Sequence, residues 1–153
     1  MKYKYSYTKG FTLLEVLIVI GILAVLSAAV LVAVNPTRQF KIARDTQRLA
    51  NVNAIANAIS QNMADNKGSL ICAGILLDLS IQIKTISSSD VDLAKCLVPE
   101  YIASIPFDSG IREAHYTGPG DYISGYSIQK DPDTGRIVIS ATGELDENIK
   151  AIR

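Results

Sequence analysis

The sequence predicts an α+β protein, in which a long N-terminal helix packs on a small antiparallel β-sheet. Three observations predict this fold. An unbroken apolar block runs from Phe11 to Val34. An apolar stripe at helical spacing follows it, and the C-terminal half contains short segments of alternating polarity separated by turn residues. The 153 residues suffice for one domain with its own core.

The apolar block from Phe11 to Val34 contains one charged residue, Glu15. A helix of this length spans about 36 Å, which is enough to cross a hydrocarbon core of about 30 Å. A helix buried inside so small a protein is rarely apolar on every side over this length. The block is therefore predicted to enter a membrane. Three lysines precede it and three basic residues follow it closely, so flanking charge alone leaves its orientation open.

The residues before the block differ from a secretory signal peptide, in which an apolar region of roughly 7–15 residues precedes a cleavage site of small residues. Here a short basic segment ends at Lys9-Gly10, and a longer apolar block begins at once at Phe11. Conventional cleavage after Ser27-Ala28-Ala29 and an uncleaved membrane anchor remain as alternatives.

The segment KGFTLLEV, from Lys9 to Val16, resembles the class III leader junction of type IV pilins and type II secretion pseudopilins. The resemblance implies that a membrane-embedded prepilin peptidase cuts between Gly10 and Phe11 on the cytoplasmic side. It implies that the same enzyme then N-methylates Phe11. Glu15 would become the fifth residue of the mature chain, where this family keeps a glutamate.

The resemblance also implies a division of the chain into four parts, with the layout of a pilin-like lollipop. Residues 1–10 form a cleaved leader, and residues 11–34 form the transmembrane or filament-core half of the helix. Residues 35–66 form its amphipathic half, and residues 67–153 a globular head with an antiparallel sheet. The precursor is expected to cross the inner or cell membrane once, with its N-terminus cytoplasmic and its head outside the cytoplasm. The assembled filament is expected to be periplasmic or extracellular.

Glu15 is the residue of the block whose chemistry predicts a function. A charged, unpaired carboxylate on a lipid-facing helix is costly. Cleavage after Gly10 would create a partner for it, the amino group of Phe11, which stays cationic after methylation. Pairing between Glu15 of one subunit and the Phe11 amine of its neighbour would fix the axial register of a filament. The alternative is that Glu15 only reaches the lipid headgroups.

The helix is expected to kink or melt locally at Asn35-Pro36 and to stop at Lys67-Gly68. The apolar stripe of its second half consists of Phe40, Leu49, Val52, Ile55, Ala56, Ile59 and Met63. A basic side consists of Arg38, Lys41, Arg44 and Arg48. For this side, a solvated face or a subunit contact is favoured over DNA or anionic lipid. Removing the leader leaves 12 basic against 15 acidic residues, so no specific nucleic acid is expected as a partner.

Three segments of the head have recognisable patterns. Alternating polarity from Leu77 to Lys84 predicts a half-buried strand. Val91 to Leu97 is predicted as a short helix, with Asp90 as its N-terminal cap. A hairpin is predicted from Tyr126 to Ala141, with its turn at residues 131–135.

Cys72 and Cys96 are the only cysteines, and both fall in the predicted head. The topology implied by the resemblance places them outside the cytoplasm, so a disulfide is favoured over two buried free thiols. Asp131 and Asp133 are interpreted as turn formers. Calcium at this turn is the alternative, since some secretion pseudopilins bind calcium in their heads. No other metal or cofactor is expected.

The remaining polar and aromatic residues of the head indicate no catalytic constellation, so an enzyme is not expected. His115 is interpreted as a surface loop residue. Tyr116, Tyr122 and Tyr126 lie among glycines, where they could serve subunit contacts or internal packing.

The function hypothesis is a prepilin, the structural subunit of a type IV pilus-like filament, which is cleaved, N-methylated and polymerised through its apolar helix. Its partners would be pilin-like subunits in a homo- or hetero-polymer, the prepilin peptidase, the pilus or secretion assembly platform and, before assembly, membrane lipid. A type II secretion pseudopilin is the first alternative. A membrane-anchored binding module that does not polymerise is the second.

Overall fold

The computed structural model describes residues 10–145 and 148–153. Residues 1–9 of the predicted leader lie outside the described residues. The backbone forms two compact units, one ending at Gln39 and the other running from Phe40 to Arg153. The predicted α+β class is confirmed. The chain has an apolar N-terminal helix, and a second, amphipathic helix packs on an antiparallel sheet.

The helical region consists of α1 (Leu13–Val34) and α2 (Pro36–Asp65), separated by Asn35. Asn35 has a left-handed backbone with φ 46°, which ends α1. Its side-chain Oδ1 accepts a hydrogen bond from the Arg38 amide at 3.2 Å, and Pro36 occupies the first position of α2. Asparagine before the helix and proline at its first position are both favoured at a helix start. The interruption expected at Asn35-Pro36 is therefore present as a single residue that ends one helix and caps the next.

The part of α2 that belongs to the second unit buries an apolar stripe against the sheet. Its buried apolar residues are Val52, Ile55, Ala56, Ala58 and Ile59. They join one core cluster with side chains of the sheet, including Tyr122, Tyr126, Ile128 and Ile139. Phe40 and Leu49, which the stripe also included, are 65% and 45% exposed. The helix ends at Asp65, just before the predicted stop signal at Lys67-Gly68, where Gly68 adopts φ 88° and donates its amide to the Met63 carbonyl at 2.8 Å.

The rest of the second unit contains seven strands and one short helix among the described residues. They are β1 (Ile71–Cys72), β2 (Ile75–Leu76), β3 (Lys84–Ser87), α3 (Ala94–Leu97), β4 (His115–Gly118), β5 (Asp121–Lys130), β6 (Ile137–Ala141) and β7 (Ile149–Ile152). β1 and β2 form a small hairpin. The main sheet is antiparallel with the order β3-β5-β6-β7, and β4 pairs with the first part of β5.

The hairpin predicted between Tyr126 and Ala141 is confirmed. β5 and β6 pair from Ser127↔Ser140 to Lys130↔Ile137. In the turn between them, Oδ1 of Asp131 accepts hydrogen bonds from the Asp133 amide, the Thr134 amide and the Thr134 hydroxyl. Asp131 therefore forms the turn, as interpreted, and calcium at this turn stays a prediction.

The strand predicted from Leu77 to Lys84 is wrong in position, because regular pairing begins only at Lys84. Leu79 is buried, but Ile81 and Ile83 are 65% and 69% exposed, so the alternation does not mark a core-facing strand. Ser80 causes the departure. Its carbonyl accepts the Lys130 amide at 2.9 Å and its hydroxyl accepts the Gln82 amide at 3.0 Å, so the chain turns there.

The residues after β3 fold back along its outer edge. The Val91 amide donates to the Thr85 carbonyl, and the Ser87 amide donates to the Val91 carbonyl. The Asp90 carboxylate accepts the Thr85 amide at 2.9 Å. Asp90 is therefore not a helix cap as predicted, since α3 begins later, at Ala94, and its N-cap residue is Leu93.

Candidate processing and assembly site

The predicted cleavage junction lies immediately before α1. Gly10, Phe11 and Thr12 are not helical, and Leu13 is the first residue of the helix. Thr12 has an extended backbone (φ −82°, ψ 150°), and its Oγ1 accepts a hydrogen bond from the Glu15 amide at 3.2 Å. This is the usual geometry of a helix N-cap. The sequence interpretation missed this residue, although Thr-Leu-Leu-Glu fits the capping-box spacing.

Glu15 lies in the first turn of α1 and is exposed, as is Phe11 at 82%. A carboxylate in this turn is favoured by the partial positive charge of the helix N-terminus. In the intact chain the Phe11 nitrogen is a peptide nitrogen and carries no charge. The cation that Glu15 was predicted to pair with would therefore exist only after cleavage.

Gly10 does not need its missing side chain for the fold of the described residues. A Cβ added there would meet no described heavy atom within 4 Å, and its backbone is not in the left-handed region. Substitutions at Gly10 are thus expected to act on processing and to leave the fold unchanged.

Helix α1 has 22 residues, and none of them is buried in the described part of the chain. Its length is about 33 Å at 1.5 Å per residue, and Glu15 is its only charged residue. By length and composition it could cross a membrane. A helix apolar on all sides is stable in lipid or among other apolar helices, and unstable in water.

A family model described as the prokaryotic N-terminal methylation motif matches residues 5–31. The chain carries a class III prepilin leader. This leader is that of type IV pilins and pseudopilins, and the predicted resemblance is confirmed over the matched segment. No curated protein and no solved structure matches the chain significantly. The matched motif ends within α1. The contacts of the head are therefore described from the structure alone.

The basic side predicted on the amphipathic helix is not a uniformly solvated face, and this expectation is corrected. Arg48 is only 5% exposed, and its Nε donates to the Asp108 carboxylate at 2.7 Å. Its Nη1 donates to Asp45 at 2.7 Å, and Arg44 pairs with Glu144. The hydrogen bond to Asp108 raises the pKa of Arg48, and that from Arg44 lowers the pKa of Glu144.

Asp45 also receives backbone donors from the C-terminal region. Its carboxylate accepts the amides of Glu144 and Leu145, the closest at 2.8 Å. Arg48 and Asp45 together therefore fasten the loop at Asp108 and the segment at residues 144–145 to α2. Arg48 is therefore buried and paired within the chain, which removes it from the surface that was considered for contacts with another subunit, lipid or DNA. Arg44 pairs with Glu144 but remains partly exposed.

Asn62 is a second buried polar residue that the sequence interpretation missed. Its side-chain amide donates to the carbonyls of Ile71 and Cys96 at 3.0 and 3.2 Å, and its Oδ1 accepts the Ile71 amide at 2.9 Å. It therefore joins α2 to both ends of the segment that carries the cysteines.

Cys72 and Cys96 are joined by a disulfide in the structure, with their Cα atoms 4.1 Å apart. The bond connects β1 to α3 and closes a loop of sequence separation 24. In the chain-entropy description, closing such a loop stabilises the folded state by about 3.5 kcal/mol.

The double substitution Cys72→Ala with Cys96→Ala is expected to lower the free energy of unfolding of the head by about 3.5 kcal/mol. Urea denaturation of the full chain in detergent, followed by tyrosine fluorescence, measures this change. Wild-type protein treated with a reductant is the matched control, and it should unfold at a urea concentration close to that of the variant. Alkylation of both thiols in wild-type protein without a reductant would contradict the disulfide.

His115, Tyr122 and Tyr126 lie in strands of the main sheet and form hydrogen bonds within the head. His115 lies in β4 instead of the surface loop that was expected, and its ring contacts the Glu113 carbonyl and Asp121. Tyr122 and Tyr126 are fully buried in β5, with their hydroxyls hydrogen-bonded to Asp92 and Asn51. Of the two alternatives considered for these two tyrosines, internal packing is the one observed.

Proposed function

We propose that this chain is the precursor of a structural subunit of a type IV pilus-like filament. In this proposal it is cleaved between Gly10 and Phe11, N-methylated at Phe11 and polymerised through α1. The observation that carries the proposal is the class III prepilin leader, which continues directly into an apolar helix with no buried side chain among the described residues. Such a helix is stable in lipid before assembly and among the helices of other copies afterwards.

In this proposal Glu15 determines the axial register in which subunits assemble. Its carboxylate is exposed in the first turn of α1, four residues after Phe11. In the filament this carboxylate forms an ion pair with the methylated Phe11 amine of the neighbouring subunit. Both charges would be costly in an apolar bundle if they were unpaired, so the pair selects one axial register among the many that apolar helices alone would permit.

The proposal implies a set of partners and a location. The partners are the prepilin peptidase, an assembly platform, membrane lipid before assembly and other pilin-like subunits afterwards. The precursor has its N-terminus in the cytoplasm and its head outside it, where the disulfide between Cys72 and Cys96 can form. A pseudopilus of type II secretion has the same leader chemistry and is the alternative within the same class.

N-terminal mass spectrometry of the membrane fraction tests this proposal. We expect the wild-type chain, produced with a prepilin peptidase, to begin at a methylated Phe11. Gly10→Ala should give the same product, while Gly10→Val should leave the precursor uncut although it inserts into the membrane. The reason is that nothing among the described residues opposes a side chain at Gly10, so any steric block arises in the peptidase.

An intact Met1 in the wild-type membrane fraction would contradict the proposal and favour a membrane-anchored module that does not polymerise. An N-terminus near Ala29 would instead indicate conventional signal cleavage. Failure of Gly10→Val to enter the membrane would show that the substitution acts before processing.

A further inference from the structure

Thr12 is placed where it can control the shape of the cleavage junction. It is the last non-helical residue before α1, and its side chain and its backbone both accept helix amides. We propose that Thr12 is a positioning residue for cleavage, which keeps the Gly10–Phe11 peptide bond outside the helix so that the peptidase can bind it. This inference rests on the proposed function, because it concerns how the same junction is presented to the enzyme.

The hydrogen bonds at the start of α1 define this role. The Glu15 amide donates to Thr12 Oγ1 at 3.2 Å, and the Val16 amide donates to the Thr12 carbonyl at 3.3 Å. If the helix began one turn earlier, the Glu15 amide would donate to the Phe11 carbonyl, and the Leu14 amide to the Gly10 carbonyl. The Thr12 side chain therefore occupies the amide that would otherwise draw Phe11 into the helix.

The Gly10 carbonyl is the group that must react when the Gly10–Phe11 bond is hydrolysed. Within a helix this carbonyl would accept the Leu14 amide, and neighbouring turns would shield its faces. A peptide bond in that state must first unfold before an enzyme can bind it. Cleavage is therefore expected to depend on the fraction of chains in which the helix begins after Thr12.

The membrane favours extension of α1 towards Gly10, which the Thr12 cap opposes. Near the hydrocarbon core an unbonded amide is costly, so a helix without a cap gains stability by extending towards upstream carbonyls. Two features of the sequence resist this extension. Thr12 satisfies one of the free amides, and Gly10 is a poor residue for a helix interior.

The pair Thr12→Val and Thr12→Ser tests this inference in the full-length precursor, reconstituted in bicelles with purified prepilin peptidase. Valine keeps the branched shape and lacks the hydroxyl, while serine keeps the hydroxyl. Loss of a side-chain cap shifts a helix-start equilibrium by about fivefold. Because only the non-helical junction binds, KM should rise by up to about this factor for Thr12→Val while kcat stays unchanged. Thr12→Ser should have the KM of wild type.

The carbonyl ¹³C chemical shift of Gly10 provides an independent readout. In Thr12→Val it should move towards its helical value, and in Thr12→Ser it should stay at the wild-type value. Equal KM values for the three proteins would overturn the inference. So would a lower kcat for Thr12→Val with an unchanged Gly10 shift, because the hydroxyl would then act on the enzyme and not on the helix.

Failure of the proposed function is distinguishable from failure of this inference. If the peptidase leaves wild-type precursor uncut, the proposed processing is wrong, whatever the Gly10 shifts show. If wild type is cut and Thr12→Val is cut with the same KM, processing stands and the role of Thr12 is refuted.

Discussion

Replacing Glu15 by alanine is expected to leave cleavage and methylation intact and to reduce the yield of assembled filaments by a factor on the order of 100 or more. In the proposed processing the peptidase would cut between Gly10 and Phe11, before Glu15, so the junction that it binds would be unchanged. In the filament the Phe11 amine of each neighbour would lose its counter-charge within an apolar bundle. Breaking a buried ion pair by removing one partner is strongly destabilising, and in the proposed filament every subunit would contribute one such pair.

Filaments sheared from cells that contain the assembly machinery, quantified against the methylated subunit left in the membrane, measure this effect. Val16→Ala is a suitable control, because it shortens a neighbouring exposed side chain of α1 and changes no charge. It should assemble nearly as well as wild type. Normal filament yield from Glu15→Ala would remove the pairing with Phe11 from the mechanism.

Replacing Arg48 by methionine is expected to lower the free energy of unfolding of the head by about 3–5 kcal/mol. Methionine fills much of the same volume, but Asp45 and Asp108 would lose their shared buried partner. The loop at Asp108 would also lose its ion pair with α2, while the segment at Glu144 would keep its hydrogen bonds to Asp45 and Arg44. Urea denaturation of the full chain in detergent measures the loss.

Two further variants separate this electrostatic cause from lost packing. Arg44→Met removes a cation from the same helix whose pair with Glu144 is exposed, so it should change stability much less. The double substitution Arg48→Met with Asp108→Asn removes one unpaired charge as well and should recover part of the loss. If the double variant is no more stable than Arg48→Met, an uncompensated buried charge at Asp108 is not the cause.

The helices α1 and α2 and the β5–β6 hairpin were predictable because each is specified by nearby residues. The proline after Asn35, the glycine after Lys67 and the turn residues around Asp131 act within one turn of their own position. The junction at Gly10 and Glu15 was likewise recognisable, because its residues are contiguous along the chain.

The buried charge cluster could not be predicted from local patterns, because its acids come from distant parts of the chain. Asp108 and Glu144 reach Arg48 across 60 and 96 positions. One signal was nevertheless present. Arg48 precedes Val52, Ile55 and Ile59 by four, seven and eleven residues, which places it within the apolar stripe. A charge in that stripe predicts a buried partner, even when the partner cannot be named.

The misplaced strand at Leu77–Lys84 has a different cause. Its alternating pattern satisfied the rule for a strand with one buried face. The hydroxyl and carbonyl of Ser80, however, bind the backbone of Gln82 and of the distant Lys130. The hydrogen bond from the Lys130 amide to the Ser80 carbonyl depends on tertiary structure, and it determines where the chain joins the sheet.

The backbone that folds over the outer edge of β3 limits strand pairing between crowded heads. In a filament, the heads of many copies would be held at a local concentration far above that of free protein. An open strand edge under those conditions invites pairing between neighbours and irreversible aggregation. Because Val91 and Asp90 already occupy the hydrogen-bonding groups of Thr85 and Ser87, that edge offers few partners to a second sheet. Dense packing of heads can then proceed without competition from intermolecular strand exchange at β3.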